Sequence, residues 1–513
     1  MTDPSTREAT AGDPLALVVV ANRGPLSLVA DPRGAVTPGP TPGGLVTALA
    51  PTLGARGALW LCAPMTDADR QAARARRAFT QAALRARFVD LDPEAYRQYY
   101  EVVSNGVLWP LFHGLGDLVR QTMREVDWAP AWHAYRDVNI EFAKAVATYA
   151  PPATAVFVQD YHLVLLGHYL RLLRPDLRAV HFSHTPFCTP GELGLLPASE
   201  RLDLLEGLAA YRACGFHATA WAAAYRACSD ELGMTPAPTF VQPLGVHHGD
   251  LATLGGSAAC ADAGRQIDSM VGDKRLVVRV DRLDPTKNLL GGFHAFSRLL
   301  EDHPRLRGHV TFLAHAVPSR EGLASMRAYR HQVEQLVQRI NARWARPGWT
   351  PVILEISTDR TRALAALSRF DVLLVSSFRD GMNLVALEGA LSNRRDGVLV
   401  LSRRAGAWEQ LGDAALGVDP FDEENMAGAL GRALDLGRSD RATMADAARE
   451  AATALHPRRW LEVLIAAATG PTAGGVDDEE EEDRGSHTHK PLPHFEALAR
   501  SAAPLCAQIA GRR

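Results

Sequence analysis

Short apolar runs, each bounded by turn residues or followed by a helical pattern, constrain the fold of this 513-residue chain more than any other feature. Buried strands of a parallel sheet have such continuous runs, because helices cover both faces of the sheet. Strands that alternate with helices need crossover connections, which also indicates parallel pairing. The predicted strands are Leu15–Val20, Ala155–Val158, Ala179–Ser183, Leu276–Val280, Val310–Ala314, Val352–Ile356, Val372–Val375 and Val398–Leu401.

The strand pattern restarts near residue 275, after a segment (Leu254–Gly264) rich in Gly, Ala and Ser. We therefore predict an α/β protein with two Rossmann-like domains, residues 1–248 and 249–470, hinged near Gly245–Asp250. Two such domains face each other across a cleft, and ligands bind at the carboxyl ends of their strands. Polar residues that directly follow a predicted strand are therefore the candidates for function.

Residues 471–513 break this pattern with an acidic run of seven residues, Asp477–Asp483. Like charges in a row repel one another, so we expect a disordered acidic linker and tail. Over the whole chain, 55 Lys+Arg balance 58 Asp+Glu to a net charge of -3, which argues against a general nucleic-acid binder.

The remaining composition indicates a soluble cytoplasmic protein. No run approaches 18 apolar residues, and the N-terminus lacks a cationic, apolar signal sequence. The six cysteines are widely spaced without a CxxC pair, so we expect reduced thiols. The chain also lacks GxxxxGK[ST], HExxH, GxSxG and a GxGxxG after a strand, which disfavours P-loop hydrolases, zincins, α/β-hydrolases and dinucleotide oxidoreductases.

Candidate binding residues in the first half combine an anion site with aromatic faces. Arg23 follows the first strand in ANRGPL, and its planar fork suits a phosphate. Gly43 and Gly44 of TPGGL allow close backbone approach and offer N–H donors to a phosphate. Tyr100 and Trp109 provide flat faces for a sugar ring, with a hydroxyl and an indole N–H. Taken singly, these features are equally typical of a surface arginine, a plain turn and core aromatic residues.

Asp160 and His184 directly follow two neighbouring strands, in VFVQDYHL and HFSHTPFCTP. An Asp and a His at adjacent strand ends can bind sugar hydroxyls and influence each other's protonation. The alternative is a helix-capping Asp and a core His.

Three cations follow strands in the second half. Arg282 and Lys287 lie five residues apart in VVRVDRLDPTKN, and Arg320 follows the next strand in VPSRE. Cations held where loops leave a sheet can neutralise a leaving diphosphate, the usual electrostatic route to nucleotide-sugar cleavage. One such cation alone would be typical of a surface salt bridge, but three at successive strand ends favour a binding site.

FRDGMNLVALE, from Phe378 to Glu388, is the strongest single motif. Asp380 follows a strand, and Gly381–Leu384 is expected to open a helix whose N-terminal N–H groups and dipole suit a phosphate. Glu388, expected two turns into that helix, can accept hydrogen bonds from a ribose diol. Together these clusters predict glycosyl transfer from a nucleotide donor to a phosphorylated acceptor.

The motifs together resemble the trehalose-6-phosphate synthase family of retaining GT-B glycosyltransferases, from about residue 15 to about 465. Their order and spacing match the family, through ANRGP, GGL, SNGVLWPLFH, QDYHL, HTPF, RLDPTKN, PSREG, RDGMNLVALE and VLVLSRRAGAWEQLG. The resemblance implies a GT-B fold whose last helix, in His456–Ala467, crosses back onto the first domain. It also implies front-face attack without a protein nucleophile, and no metal or other cofactor.

The resemblance further implies residue roles. It assigns the acceptor glucose-6-phosphate to Arg23, Tyr100, Trp109, Asp160 and Arg320. It assigns the nucleotide-sugar donor to Gly43, Gly44, His184, Arg282, Lys287, Thr358, Asp380, Gly381, Met382, Asn383, Leu384 and Glu388. Within these sets, the implied catalytic residues are Arg282, Lys287, Asp160, His184 and Asp380.

The chain departs from the family pattern around the donor. Pro285, Thr286 and Asn288 replace the usual Tyr-Ser and Gly, and Thr358 replaces an aromatic residue near the base. CTPGEL (Cys188 to Leu193) replaces Pro-Thr-Pro-Glu. Both UDP-glucose and GDP-glucose therefore remain candidate donors.

Three alternatives stay open for the function. One is a sibling enzyme that makes glucosylglycerol-phosphate, and another is a pseudoglycosyltransferase that couples cyclitols. The third is a catalytically silent homologue that senses sugar phosphate. The sequence is also compatible with a homo-oligomer.

Overall fold

The computed structural model of the chain describes residues 17–30, 36–39, 49, 52–54, 56–81 and 84–470. Within these residues the strands are β1 (Leu17–Ala21), β2 (Ser27–Ala30), β3 (Val36–Gly39), β4 (Leu59–Cys62), β5 (Ala78–Gln81), β6 (Leu84–Phe88), β7 (Ala155–Gln159), β8 (Arg178–Ser183), β9 (Ala213–Phe216), β10 (Thr239–Val241), β11 (Arg275–Arg282), β12 (Val310–Val317), β13 (Val352–Ile356), β14 (Val372–Val375), β15 (Val398–Ser402) and β16 (Ala415–Val418). The predicted residues Gly43 and Gly44, Leu15 and the acidic tail lie outside the described residues.

Two sheets organise these strands. The first has the order β10-β9-β8-β7-β1-β4-β6-β5 and is parallel except for β5, which pairs antiparallel with β6. The second is fully parallel and has the order β13-β12-β11-β14-β15-β16. Among the described residues, β2 and β3 form a separate two-stranded antiparallel sheet.

Each sheet has a point where the strand order reverses. In the first sheet β1 lies between β4 and β7, and in the second β11 lies between β12 and β14. At such a point the loops from neighbouring strands diverge to opposite faces and leave a crevice at the carboxyl ends, where ligands of doubly wound sheets bind. The fold therefore predicts binding residues after β1 and β7, and after β11 and β14.

Helices cover both faces of the sheets. They are α1 (Asp67–Arg74), α2 (Pro93–Arg97), α3 (Trp109–Phe112), α4 (Gly116–Glu125), α5 (Trp128–Tyr149), α6 (Leu166–Leu173), α7 (Pro190–Leu193), α8 (Ala198–Ala209), α9 (Thr219–Glu231), α10 (His248–Gly255), α11 (Ala258–Val271), α12 (Leu289–Asp302), α13 (Ala324–Trp344), α14 (Arg360–Leu367), α15 (Leu384–Ser392), α16 (Trp408–Leu411), α17 (Glu423–Asp435), α18 (Arg438–Thr453) and α19 (Pro457–Thr469). A π-helix, Gln98–Leu108, joins α2 to α3.

The chain crosses between the two halves twice. After β10 it enters the second half through residues 242–247, where Gly245 packs against the backbone of Leu455 so closely that a Cβ would not fit. The return crossing brings α19 onto the first sheet, where Trp460 is 1% exposed and packs edge-on against Phe182 at 5.0 Å. The last helix therefore completes the core of the first half.

Helices occupy part of the predicted connection. Asp250, at the end of the predicted hinge, lies inside α10, and most of the Gly/Ala/Ser-rich segment forms α10 and α11. Alanine is the strongest helix former, and the side chain of Ser257 caps α11 by accepting from the Cys260 N–H at 3.1 Å. Composition alone resembles a linker here, whereas the local propensity favours a helix.

All eight predicted strands are present in the described residues, with ends that differ by a few positions. The main strands that sequence reasoning missed are short: β4, β6, β9 and β16 have four or five residues each. The described cysteines are buried and free. Among the described residues, no helix is long and apolar enough to cross a membrane.

Candidate active site

Asp160 directly follows β7 at the reversal point of the first sheet. Its backbone is left-handed, with φ of 70°, and one carboxylate oxygen accepts the backbone N–H groups of His184 at 3.2 Å and Thr185 at 3.3 Å. Loss of hydration raises the pKa of Asp160 to about 6, although these N–H groups oppose the change. Asp160 is thus a carboxyl group at the strand edge that is mostly ionised at pH 7 and gains a proton near pH 6.

His184 belongs to a directed chain of hydrogen bonds. The backbone N–H of Leu244 donates to Nδ1 of His217 at 3.3 Å, so the proton of the neutral His217 ring is on Nε2. That nitrogen lies 3.0 Å from Nδ1 of His184, whose Nε2 in turn lies 2.8 Å from Oε1 of Gln159. Burial lowers the pKa of His217 to about 3 and holds the pKa of His184 well below its usual value. Both rings are therefore neutral at physiological pH.

The π-helix presents Tyr100 beside the strand edge. The Tyr100 ring stacks on His162 at 6.0 Å and on Tyr96 at 5.6 Å. Burial, together with the nearby charges of Arg320 and Arg23, lowers the pKa of His162 to about 3. Arg23 itself is exposed.

Trp109 lies at a contact between the two halves of the chain. It is 7% exposed and lies at the start of α3 in the first half. The guanidinium carbon of Arg320 lies 4.2 Å from the centroid of the indole, and that of Arg282 lies 4.8 Å from it. Both arginines come from strand ends of the second sheet, so these cation–π contacts join the predicted acceptor and donor sides.

The indole N–H of Trp109 is buried and finds no hydrogen-bond acceptor among the described residues. Buried N–H groups are rarely left without a partner, because the loss of hydration costs about 1–3 kcal/mol. An unpartnered donor beside two guanidinium groups is well suited to bind an oxygen of an anionic ligand.

Asp284 partly balances the charge of the two arginines. It is fully buried, and it accepts from the Arg320 guanidinium at 2.7 Å. Burial acts to raise the pKa of Asp284, but the charges of Arg320 and Arg282 outweigh it and hold that pKa below its usual range. One carboxylate for two guanidinium groups leaves a net positive charge at this edge.

Lys287 and Asp380 form a second charged pair, across the reversal point of the second sheet. The buried Lys287 ammonium donates to Oδ2 of Asp380, which also accepts from Ser377 Oγ at 3.1 Å and Asn383 Nδ2 at 3.0 Å. Burial opposes ionisation of Asp380, but Lys287 outweighs it and lowers the pKa. The buried Arg279 supports this pair by donating to the backbone carbonyl of Lys287.

The segment from Asp380 to Leu384 differs from expectation in one respect. The helix α15 begins at Leu384 rather than at Gly381, because Asn383 is left-handed (φ 75°) and caps the helix by accepting from the Ala386 N–H at 3.1 Å. A Cβ at Gly381 would collide with the backbone carbonyl of His184, so only glycine fits.

Glu388 and Thr358 lie on the far side of the same edge. Glu388 is one turn into α15 rather than two, and burial raises its pKa. Its carboxylate lies 3.9 Å from the Arg360 guanidinium, at the start of α14. Thr358 precedes that helix and is exposed, while Met382 is buried and Leu384 half-buried.

Among the described residues, the predicted side chains after β7, β11 and β14 thus lie at the carboxyl ends of their strands, and Trp109 contacts Arg282 and Arg320. Arg282 is the last residue of β11 rather than the residue after it. Sequence reasoning missed Asp284, His217 and Arg360. Asp284 lies between Arg282 and Lys287 in one motif, so a carboxylate flanked by two cations was a usable signal.

The comparison with protein families decides the class. A model of glycosyltransferase family 20 matches residues 15–469. The chain belongs to glycosyltransferase family 20. It is therefore a transferase with the GT-B fold, and its relatives are trehalose-6-phosphate synthases, as the resemblance implied.

Curated relatives of this glycosyltransferase agree with that class. It is 32% identical to the trehalose-6-phosphate synthase of Mycolicibacterium smegmatis, over 94% of this chain and 99% of that protein. It is also 32% identical to the UDP-forming alpha,alpha-trehalose-phosphate synthase of Schizosaccharomyces pombe, over 83% of this chain and 85% of that protein. It spans 62% of the length of a bifunctional trehalose-6-phosphate synthase/phosphatase of Thermoproteus tenax, at 30% identity.

Solved structures are similar over the same length. A UDP-forming alpha,alpha-trehalose-phosphate synthase from Burkholderia xenovorans, in complex with glucose-6-phosphate, has a TM-score of 0.77 and 28% identity, over 89% of this chain and 100% of that one. An Escherichia coli structure bound with UDP-2-fluoro glucose has a TM-score of 0.78 and 28% identity, over 89% of this chain and 99% of that one.

Proposed function

We propose that this glycosyltransferase moves glucose from UDP-glucose to glucose-6-phosphate with retention of configuration, and so makes trehalose-6-phosphate. The observation that carries the proposal is the position of Trp109 beneath Arg282 and Arg320. An aromatic face that suits the acceptor sugar thereby lies next to cations that suit two phosphate groups. The relatives' substrates, glucose-6-phosphate and a UDP-sugar, fit these two sides.

On the acceptor side, Arg23 and Arg320 would bind the 6-phosphate of glucose-6-phosphate. The Trp109 indole and the Tyr100 ring would pack on the sugar, with the free indole N–H donating to a sugar or phosphate oxygen. Asp160 would accept a hydrogen bond from a sugar hydroxyl. These positions orient the hydroxyl on C1 of the acceptor toward the donor.

On the donor side, Arg282 and Lys287 would bind the diphosphate and Glu388 would accept from the ribose diol. His184 and Asp380 would hold the hydroxyls of the donor glucose, and residues 381–384 would offer backbone N–H groups to the donor, a role that the family resemblance also implies for Gly43 and Gly44. Thr358 and Arg360 would flank the base.

The proposed reaction needs no protein nucleophile. The bond between C1 of the donor glucose and the diphosphate oxygen breaks, and the acceptor oxygen forms the new bond on the same face of the ring. The departing diphosphate oxygen takes the proton of the attacking hydroxyl. Arg282 and Lys287 lower the barrier by stabilising the negative charge that grows on that diphosphate.

The test incubates the purified protein with glucose-6-phosphate and either UDP-glucose or GDP-glucose. We expect release of UDP only when glucose-6-phosphate is present, and a non-reducing α,α-linked disaccharide phosphate by NMR. Faster release with GDP-glucose would correct the donor alone. Transfer to a glycerol or cyclitol phosphate instead would contradict the acceptor, and tight binding without release would indicate a silent homologue.

A further inference from the structure

The loop Ser376–Asn383, which we call the donor loop, contacts both halves of the chain. Within the second half, Asp380 of the loop accepts from the Lys287 ammonium, and Asn383 caps α15. The other side of the loop faces the first half, where the indole N–H of Trp221 donates to the Gly381 carbonyl at 3.0 Å. The loop is therefore tied to the half that carries the predicted acceptor site.

Arg379 makes the strongest of these cross-connections. Its guanidinium donates to both carboxylate oxygens of Glu192, at 2.9 and 3.0 Å, with side chains only 11% and 26% exposed. Burial acts to raise the pKa of Glu192, but the hydrogen bonds from Arg379 outweigh it and lower that pKa. A half-buried, two-point arginine–carboxylate pair is stronger and more directional than an exposed single contact.

The same guanidinium reaches the segment that holds Trp109. We call residues Trp109–Gly114 the acceptor platform. Arg379 donates to the backbone carbonyl of Phe112 at 3.3 Å, and a Cβ at Gly114 would lie 3.2 Å from its guanidinium carbon. Within the platform, His113 Nδ1 lies 2.7 Å from the Trp109 carbonyl. Trp109 and the Phe112 carbonyl that binds Arg379 therefore lie within four consecutive residues.

Glu192 is held rigidly for this contact. It is the third residue of a capping box, in which its carboxylate accepts from the Thr189 N–H at 2.8 Å while the Thr189 hydroxyl caps α7. In CTPGEL the carboxylate stands one position later than in the Pro-Thr-Pro-Glu pattern.

We infer that Arg379 is a positioning residue that couples the two substrate sites: ordering of the acceptor platform by a bound sugar phosphate tightens nucleotide binding at the donor loop, and the reverse. The inference rests on the proposed function for the identity of the two ligands. Reciprocity follows because a coupling free energy acts equally on both ligands. Arg379 contacts neither reacting group and acts through Asp380 and Trp109.

The experiment measures the Kd of UDP by calorimetry, with and without saturating glucose-6-phosphate, for the wild type, Arg379→Lys and Glu192→Gln. We expect the sugar phosphate to tighten UDP binding at least ~5-fold in the wild type, the lower end of usual site coupling. Arg379→Lys keeps the positive charge but lacks the forked guanidinium, and Glu192→Gln removes the carboxylate that it binds. Both variants should therefore bring the coupling factor close to one. UDP binding without the sugar phosphate should change by less than about threefold, since the donor contacts remain.

Glu409→Gln is the matched control. Glu409 also joins the two halves, by accepting the backbone N–H groups of Thr219 at 2.9 Å and Ala220 at 3.2 Å, but it does not belong to the donor loop. A residue that only holds the halves together would lower stability without removing the coupling, which is the result expected for this variant.

The outcomes separate the two proposals. A wild type without coupling, variants that keep the wild-type factor, or a control that loses it equally would each overturn the role of Arg379. Absence of UDP release with glucose-6-phosphate would instead contradict the proposed function. Thermal melts identify a variant that fails to fold, and the other variant then decides.

Discussion

The two sheet edges that face each other are built from different chemistry. The edge of the first sheet is built mainly from uncharged rings, with Tyr100 stacked on His162 and a neutral His184, beside the carboxyl group of Asp160, whose pKa is raised to about 6. The edge of the second sheet presents ion pairs, with Arg320 on Asp284 and Lys287 on Asp380. One side is thus suited to a sugar ring and the other to a diphosphate.

This difference teaches why the reaction needs both halves. Trp109 belongs to both environments, because it lies on the aromatic edge and beneath two arginines of the charged one. Substitutions on the charged edge should therefore change the rate of bond breaking, whereas those on the aromatic edge should change acceptor binding.

The largest effect is expected from Arg282→Ala. Removing one donor that stabilises developing charge costs ~10²–10³ in kcat, so turnover should almost vanish while the half-buried position leaves the fold intact. Initial rates and thermal melts check this. The matched control is Arg275→Ala at the opposite end of β11, whose partner Asp371 keeps Arg441 at 3.0 Å. Normal turnover by folded Arg282→Ala would contradict the diphosphate role.

Trp109→Ala should raise KM for glucose-6-phosphate by ~30-fold, because truncation of a buried aromatic contact residue costs about 2 kcal/mol or more. KM for the donor should change less. Trp344 is the control: Arg307 and Arg343 each lie 4.5 Å from its ring, but its N–H is satisfied by Ser297 at 3.0 Å. An equal rise of KM in Trp344→Ala would show that the effect is structural.

Asp160→Asn tests the role of this carboxylate through the pH dependence of activity and stability. If the carboxylate binds the acceptor, wild-type kcat/KM should fall about tenfold between pH 7 and pH 5, one unit below a pKa of about 6. The variant should lack that limb. Since the folded pKa is raised, the native state holds a proton that the unfolded chain releases between pH about 4 and 6, so wild-type stability should decline as pH rises through that window. Unchanged profiles would contradict the raised pKa.

Tyr100→Phe should have the smallest effect. It keeps the ring that stacks on His162 and removes only a hydroxyl, whose hydrogen bond is worth ~1 kcal/mol, or about a fivefold rise of KM for the acceptor. Steady-state kinetics with varied glucose-6-phosphate measure it. A loss as large as that of Trp109→Ala would mean that the hydroxyl, rather than the ring, binds the sugar phosphate.

Much of the site could be predicted from the sequence because parallel strands bring their carboxyl ends to one edge. Arg282 and Asp380 were identified as residues at strand ends. The strands that lead to them, β11 and β14, are neighbours at the reversal point of the second sheet. Partners distant in sequence were not predictable in this way. His217, which fixes the protonated nitrogen of His184, lies 33 residues away, and Glu192 lies 187 residues from Arg379.

The sequence by itself determined the class of fold, the family and the residue types at the two edges, since apolar runs, turn residues and local motifs are properties of short segments. Only the tertiary structure decided which charges neutralise each other, which ring protons are fixed and where the halves touch. Those features depend on burial and on contacts between distant segments. Burial decides whether a charged or polar side chain is paired, has a shifted pKa or lacks a hydrogen-bond partner.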